Sequence, residues 1–368
     1  MDVLQMVPET PAIVIDKQIA RRNAEALAAE FNKYGCAYRP HSKTHKMVEF
    51  SKLQMESGAI GICCAKISEA EAMAEGGIRD IFVAYPVVGE FRIRRVARLA
   101  EKIRLILTVD SREGAEELSR VALEEGVVFE VRMEIDTQFR RTGVKREHAV
   151  ELAKYISALP NLKLTGISTF RSLTYNGEST HDAKLAGEQE GEMLVSTAEA
   201  IRAAGIPVAE VSGGSTPTGK YVASVKGVTE VRPGTNLFND YGTYAESACE
   251  IKDIAAYLVF TVVSAPEPGY AVIDGGSKAI ATDFPLQGND GKPEYAFGKD
   301  DASLVVNRIY EEHGIVVRRN GNTGLKVGDR IAVYPAHICS TINLYNHVYV
   351  LDNNELRKVK VDARGMLA

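Results

Sequence analysis

The spacing of apolar and polar positions changes character twice along this chain. Residues 10–16 form an apolar run ending at Asp16 and read as a strand; residues 17–33 then place Ile19, Ala20, Leu27, Ala28 and Phe31 on one helical face. From there strand-like runs alternate with helical patterns. Strands are predicted over 36–41, 59–65, 80–85, 104–109, 128–135, 162–169, 208–212 and 228–231. Helices are predicted over 45–57, 68–75, 89–102, 111–125, 146–159 and 181–204, while 217–224 is short and weakly helical. Ser68-x-x-Glu71 reads as a capping box and Ser111 as a plain N-cap. Eight strand–helix units with parallel crossovers predict an α/β fold, a TIM-type (β/α)8 barrel. An open doubly wound sheet, the competing reading, usually stops near five or six strands.

After about residue 245 the helical period disappears. Alternating or apolar runs cover 254–263, 270–274, 303–310, 330–334 and 347–351, separated by turn-forming clusters. A C-terminal mostly-β domain is therefore expected over 245–368, after a barrel over 10–244, with residues 1–9 packed on the β domain.

Composition narrows the class. Hydrophobic residues make up 45% and charged residues 25%, as in ordinary soluble globular proteins. A net charge of −5 without a long basic run argues against nucleic-acid and anionic-membrane partners. No apolar run reaches the length of a membrane span, and residues 1–9 lack the regions of a signal peptide. Five cysteines, an odd number, argue against a disulfide framework, so a cytoplasmic location is expected.

In a barrel, chemistry gathers at the C-terminal strand ends. The first delivers Arg39-Pro40-His41-Ser42-Lys43-Thr44-His45-Lys46. Lys43 stands where a strand ends and a helix is about to begin, among cationic neighbours that can lower its pKa, as a Schiff-base lysine requires. A basic surface loop fits the same stretch. Lys46 is the rival amine, expected within the helix and turned from the mouth. Strand five ends in Glu134-Ile135-Asp136-Thr137-Gln138-Phe139-Arg140-Arg141-Thr142-Gly143, and strand six leads to Arg171 and Tyr175. Strands seven and eight run into Gly213-Gly214-Ser215-Thr216 and Arg232-Pro233-Gly234-Thr235. Glycine lets backbone N–H groups approach phosphate oxygens, and hydroxyls add donors, although Gly-Gly-Ser-Thr alone is more often a turn. A phosphate cradle facing a lysine suggests pyridoxal 5'-phosphate on Lys43.

In the β domain, His337 and Cys339 would point to one side of an extended chain and suit zinc. Two protein ligands leave positions for water and substrate. A core cysteine beside a hydrogen-bonded histidine is the competing reading. Cys36, Cys63, Cys64 and Cys249 read as small core fillers.

Together these residues resemble the D-threonine aldolase and D-serine dehydratase group, which has the alanine-racemase type of pyridoxal-phosphate fold (fold type III). The resemblance covers essentially the whole chain. It rests on Thr10-Pro11-Ala12, the 39–46 stretch, Glu134-Ile135-Asp136-Thr137, Arg141-Thr142-Gly143-Val144 and Gly214-Ser215-Thr216-Pro217-Thr218. It continues in Thr229-Glu230-Val231-Arg232-Pro233-Gly234-Thr235, Glu312-His313-Gly314 and Pro335-Ala336-His337-Ile338-Cys339. The resemblance implies a homodimer acting on a small D-amino acid. It implies a cofactor on Lys43, with His41 nearby, Arg141 on the phenolic oxygen and Tyr175 near the ring. Gly214, Ser215, Thr216, Gly234 and Thr235 would meet the phosphate. His337 and Cys339 would hold a divalent metal (zinc first, manganese or magnesium as alternatives) close to the substrate's β-hydroxyl. The chain departs from the group's pattern at Phe170-Arg171-Ser172-Leu173-Thr174-Tyr175, where a His-x-Gly-His-like run is usual, and at Asn236, where tyrosine is common.

The activity implied is a lyase on D-3-hydroxy-amino acids. Retro-aldol cleavage to glycine and an aldehyde comes first; zinc-dependent dehydration to a 2-oxo acid and ammonia is the alternative. A racemase and a non-catalytic pyridoxal-phosphate carrier rank below both.

Overall fold

All eight strands expected between residues 36 and 231 are present in the computed structural model, which describes residues 3–368. They are Ala37–Tyr38, Ile62–Cys64, Asp80–Pro86, Arg104–Val109, Phe129–Asp136, Leu162–Ser168, Glu210–Gly213 and Glu230–Val231. Every neighbouring pair is parallel, and each strand lies beside the next in sequence, with the last pairing to the first. A parallel bridge between His41 and Cys63 joins strand one to strand two and closes the barrel. Helices separate the strands as the period predicted, and Ser111 caps its helix by accepting the Gly114 N–H at 3.3 Å.

The barrel interior carries charge as well as apolar bulk. Glu230 accepts from Arg39 Nε at 2.7 Å and from Arg132, all three buried. Burial alone would push this carboxyl up, but the two guanidiniums hold it far below the usual carboxylate range.

Two local expectations fail. Ser68 forms no capping box: Lys66 is the N-cap, and the Ser68 N–H and hydroxyl both donate to the Ala368 carbonyl. The helix expected over 45–57 begins only at Val48. Ser42–Thr44 is a single 3-10 turn and Lys46 is left-handed at φ 54°. The Lys46 carbonyl accepts from Ala363 N–H, so it serves a tertiary contact instead of the helix.

The chain clusters into two compact units. The barrel unit comprises Ala24–Lys43, Met47–Gly234 and Met366–Ala368. The second comprises residues 3–23, Thr44–Lys46 and Thr235–Gly365. Its sheet has nine strands, in the order Tyr270–Ile273, Gly314–Arg318, Leu304–Ile309, Ala296–Gly298, Arg330–Pro335, Ala256–Glu267, Ala12–Asp16, His347–Asp352 and Glu355–Lys360. The strand Ala12–Asp16 pairs antiparallel with Ala256–Glu267 and parallel with His347–Asp352. Val7, Val14, Tyr257, Val259 and Tyr334 fill one of its cores. This unit is mostly β, with Tyr241–Ala245 and Ile338–Ile342 as short helices. No helix among the described residues is long and apolar enough to cross a membrane.

Candidate active site

The barrel strands deliver their last residues to one rim. Half-buried Lys43 stands on the 3-10 turn after strand one, and its N–H donates to Nδ1 of buried His41 at 3.3 Å. His41 is anchored in turn, donating its own N–H to the Pro233 carbonyl at 2.9 Å. His41 therefore holds the turn that presents the lysine. The other cationic neighbours face elsewhere. Arg39 pairs with Glu230 and Asp80, while Lys46 Nζ donates to Asn343 Oδ1 at 3.0 Å.

The Lys43 ammonium lies 5.2 Å from the centre of the Phe170 ring. Arg141 stacks over the same ring, its guanidinium carbon 4.3 Å from the centre, and Phe139 meets it edge-on at 5.6 Å. Phe170 is thus the shared aromatic surface of both cations. Arg141 donates no hydrogen bond to any described residue, and its burial lowers its pKa against the pull of Glu134. A partly desolvated guanidinium with unspent donors suits an oxygen anion. Below it, buried Glu134 accepts the Thr142 hydroxyl at 2.9 Å, and Asp110 accepts the Gly143 N–H at 3.1 Å, which secures the loop carrying Arg141.

Tyr175 and Arg171 are not brought into this group. Tyr175 lies exposed on a small hairpin, Thr174–Tyr175 with Glu178–Ser179. Arg171 is buried and spends its guanidinium on the Thr174 carbonyl and Gln189, supporting the loop from beneath.

After strand seven, Gly214 has φ +81°, and a Cβ there would lie 2.6 Å from Val231 Cγ1, so only glycine fits. Its N–H donates to Glu190 Oε1 at 2.8 Å. Ser215 engages the Thr218 hydroxyl through its N–H at 3.1 Å and its Oγ at 2.8 Å. Ser215, Thr216 and Gly234 belong to the barrel unit. Thr235 belongs to the second unit, where its hydroxyl lies 3.4 Å from Cys339 Sγ. An amine, a guanidinium that donates no hydrogen bond among the described residues and a loop too tight for a Cβ together fit pyridoxal phosphate.

In the second unit His337 is the N-cap of Ile338–Ile342, and Cys339 lies in its first turn. The chain there is therefore not extended, yet the two side chains are close enough for each to shift the other's pKa. Nδ1 of His337 is 2.8 Å from Asp283 Oδ2, which also accepts the Ser340 hydroxyl at 2.7 Å. Thr44 Oγ1 is 3.2 Å from Cys339 Sγ. Burial opposes charge on His337, but Cys339 beside it and the charges of Asp240 and Asp283 push its pKa up to about 10. Burial likewise opposes the thiolate, but His337 draws the Cys339 pKa below its usual value. No trio of His, Cys, Asp or Glu side chains is arranged for a metal among the described residues. The pair fits a metal as two adjacent ligands, one a thiol whose pKa His337 lowers and one an imidazole oriented by a carboxylate, with the remaining positions left to water or substrate.

Sequence reasoning missed Phe170 as a positive feature, along with Asp283 and Glu190. Only Glu190 left a signal: a carboxylate on the helix stripe shared by Ala186, Leu194 and Ile201. Asp283 lies in a loop without any motif.

Comparison with known proteins gives the family. Residues 15–242 match the alanine racemase N-terminal domain, and residues 255–351 match a serine dehydratase domain. The 3-hydroxy-D-aspartate aldolase of Paracoccus denitrificans (strain Pd 1222) is 31% identical over 97% of this chain and 92% of its own length. The D-threonine aldolase of Arthrobacter sp. is 27% identical over 97% of this chain and 93% of its own length. The structure of D-threo-3-hydroxyaspartate dehydratase from Delftia sp. HT23 superposes with a TM-score of 0.87 at 29% identity, covering 98% of this chain and 99% of that one. A D-threo-3-hydroxyaspartate dehydratase has also been solved as a histidine-to-alanine mutant and as a cysteine-to-alanine mutant in the metal-free form, the histidine two positions before the cysteine.

Proposed function

This chain belongs to the alanine racemase N-terminal domain family, whose members depend on pyridoxal phosphate, and on that premise we propose a lyase that cleaves D-threonine-like 3-hydroxy-amino acids to glycine and an aldehyde. The observation that carries the reading is the meeting of Lys43 and Arg141 on one aromatic ring at the barrel rim. Full-length similarity to two aldolases supports it.

Pyridoxal phosphate, when bound, supplies an electron sink that stabilises negative charge at the substrate's Cα. Lys43 offers the amine that carries it, on a turn held by His41. Arg141 offers unspent donors to an oxygen anion, and Phe170 keeps water from one side of both cations. The loops at Gly214, Ser215, Thr216 and Gly234 would meet the phosphate, with the Gly214 N–H now held by Glu190 and the Ser215 N–H by Thr218. His337 and Cys339 would hold a divalent cation, zinc by donor chemistry, able to act as a Lewis acid on a hydroxyl. Asp283 fixes the imidazole so that Nε2 remains the coordinating nitrogen. In the cleavage the Cα–Cβ bond breaks, the β-hydroxyl gives up its proton, and a proton returns to Cα.

One observation favours a second reading. The His337-x-Cys339 spacing equals that of the mutated histidine and cysteine of the D-threo-3-hydroxyaspartate dehydratase. There the Cα proton and the β-hydroxyl would leave, giving a 2-oxo acid and ammonia after hydrolysis. A product assay separates the two. The metal-supplemented, cofactor-loaded protein is given D-threonine, D-serine and D-threo-3-hydroxyaspartate. Glycine with an aldehyde is expected; ammonia with a 2-oxo acid establishes the dehydratase, and neither product overturns both. The proposal includes a cytoplasmic homodimer, consistent with five free cysteines and checked by sedimentation.

A further inference from the structure

Beneath the loop after strand seven lies a carboxylate that the proposed reaction does not use. Glu190, on the helix Ala183–Ala203, is fully buried. Two glycines let that helix approach: a Cβ at Gly187 would lie 2.8 Å from the Thr218 carbonyl oxygen, and one at Gly191 would lie 2.7 Å from a Val225 methyl. Oε1 of Glu190 accepts the Gly214 N–H at 2.8 Å, while Oε2 is buried without a hydrogen-bond partner. The fit is close, since a Cβ on Gly213 would lie 3.0 Å from Oε1.

Three polar groups face this carboxylate: the Thr218 hydroxyl, Arg171 from the loop after strand six, and Arg232 from the end of strand eight. Neither guanidinium is committed to it. Arg171 donates to Thr174 and Gln189, and Arg232 donates to Ser212 and to the Thr169 carbonyl. Burial outweighs these neighbours and pushes the Glu190 carboxyl up to about 7.

We propose that Glu190 is a positioning residue of the phosphate loop, and that it takes up a proton when the loop accepts a phosphate dianion. This rests on the reading that the Gly214–Ser215–Thr216 stretch meets the cofactor's phosphate. An ionised carboxylate directly behind the loop repels a dianion through low-dielectric protein and competes for the Gly214 N–H. The neutral carboxyl still accepts that N–H and adds no charge. Protonation and phosphate binding are then linked, and each strengthens the other.

The test uses apoprotein stripped of cofactor and titrated with pyridoxal phosphate from about pH 6 to pH 9, followed by fluorescence. Pyridoxal, which lacks the phosphate, is titrated alongside; the ratio of the two affinities cancels titration of the lysine and the ring. Glu190→Gln keeps an amide oxygen for Gly214 but cannot ionise. The wild-type ratio is expected to fall, relative to the variant, by up to about tenfold per pH unit above neutrality. Parallel profiles overturn the proposal and leave the cofactor reading intact, whereas failure of both proteins to bind pyridoxal phosphate overturns both. Should the variant not fold, infrared spectra of the wild type decide. A protonated-carboxyl band is expected to grow with pyridoxal phosphate but not with pyridoxal, and its absence overturns the proposal.

Discussion

The guanidinium carbon of Arg141 lies over Phe170, 4.3 Å from the centre of a ring that also sits 5.2 Å from the Lys43 ammonium. One aromatic surface thus serves both cations at the barrel rim. It holds two cations near each other without neutralising either.

Removing that surface has a measurable cost. A single cation–π contact contributes roughly 0.5–2 kcal/mol. Phe170→Ala is therefore expected to lower kcat/KM on D-threonine about tenfold, or ~1.4 kcal/mol, with an unchanged circular dichroism spectrum. Phe170→Tyr, which keeps the ring, is expected to retain most activity. Equal activity in wild type and Phe170→Ala makes the ring a bystander.

The two candidate amines part cleanly. Lys43→Ala is expected to abolish the visible absorption of protein-bound cofactor. Lys46→Ala is expected to keep it, because Lys46 Nζ is engaged by Asn343 at 3.0 Å. A band that survives in Lys43→Ala assigns the cofactor to another lysine.

The metal pair yields a graded series. His337→Ala and Cys339→Ala are expected to lose bound metal by elemental analysis, together with activity. Asp283→Asn keeps both ligands but weakens the orientation of His337, and metal affinity is expected to fall about 10–100-fold. Full metal content in all three variants makes the pair a structural contact.

Glu230 carries a stability prediction with a definite pH sign. Its folded pKa is depressed below the ordinary 4.5, so its contribution is complete above that pH and is lost as pH falls toward the folded value. Glu230→Gln breaks a buried pairing with Arg39 and Arg132 and is expected to cost ~3–5 kcal/mol in denaturant unfolding at neutral pH. The gap between the two proteins should narrow below about pH 4.5, because only the wild type has this stability to lose. A gap independent of pH refutes the electrostatic account.

Much of this protein is written locally in its residues. Eight strands and their order follow from period and length, because strands buried on both faces are mostly apolar whatever surrounds them. Lys43 could be placed at a strand end for the same reason, as could the Ser111 cap. Where tertiary contacts compete for the same groups, local reading fails. The Ser68 hydroxyl went to Ala368 and the Lys46 carbonyl to Ala363, which undid one cap and one helical turn. His337 and Cys339 were recognisable as a pair, but a short helix, not an extended strand, brings them together. Their orienting Asp283 is 54 positions from His337, and Glu190 is 24 positions from Gly214. Phe170 joins Lys43 to Arg141 only after three strand ends reach one rim. Periodicity reports which face a residue takes; which distant residue shares that face is decided when the chain closes, by packing and by the need of every buried donor and acceptor for a partner.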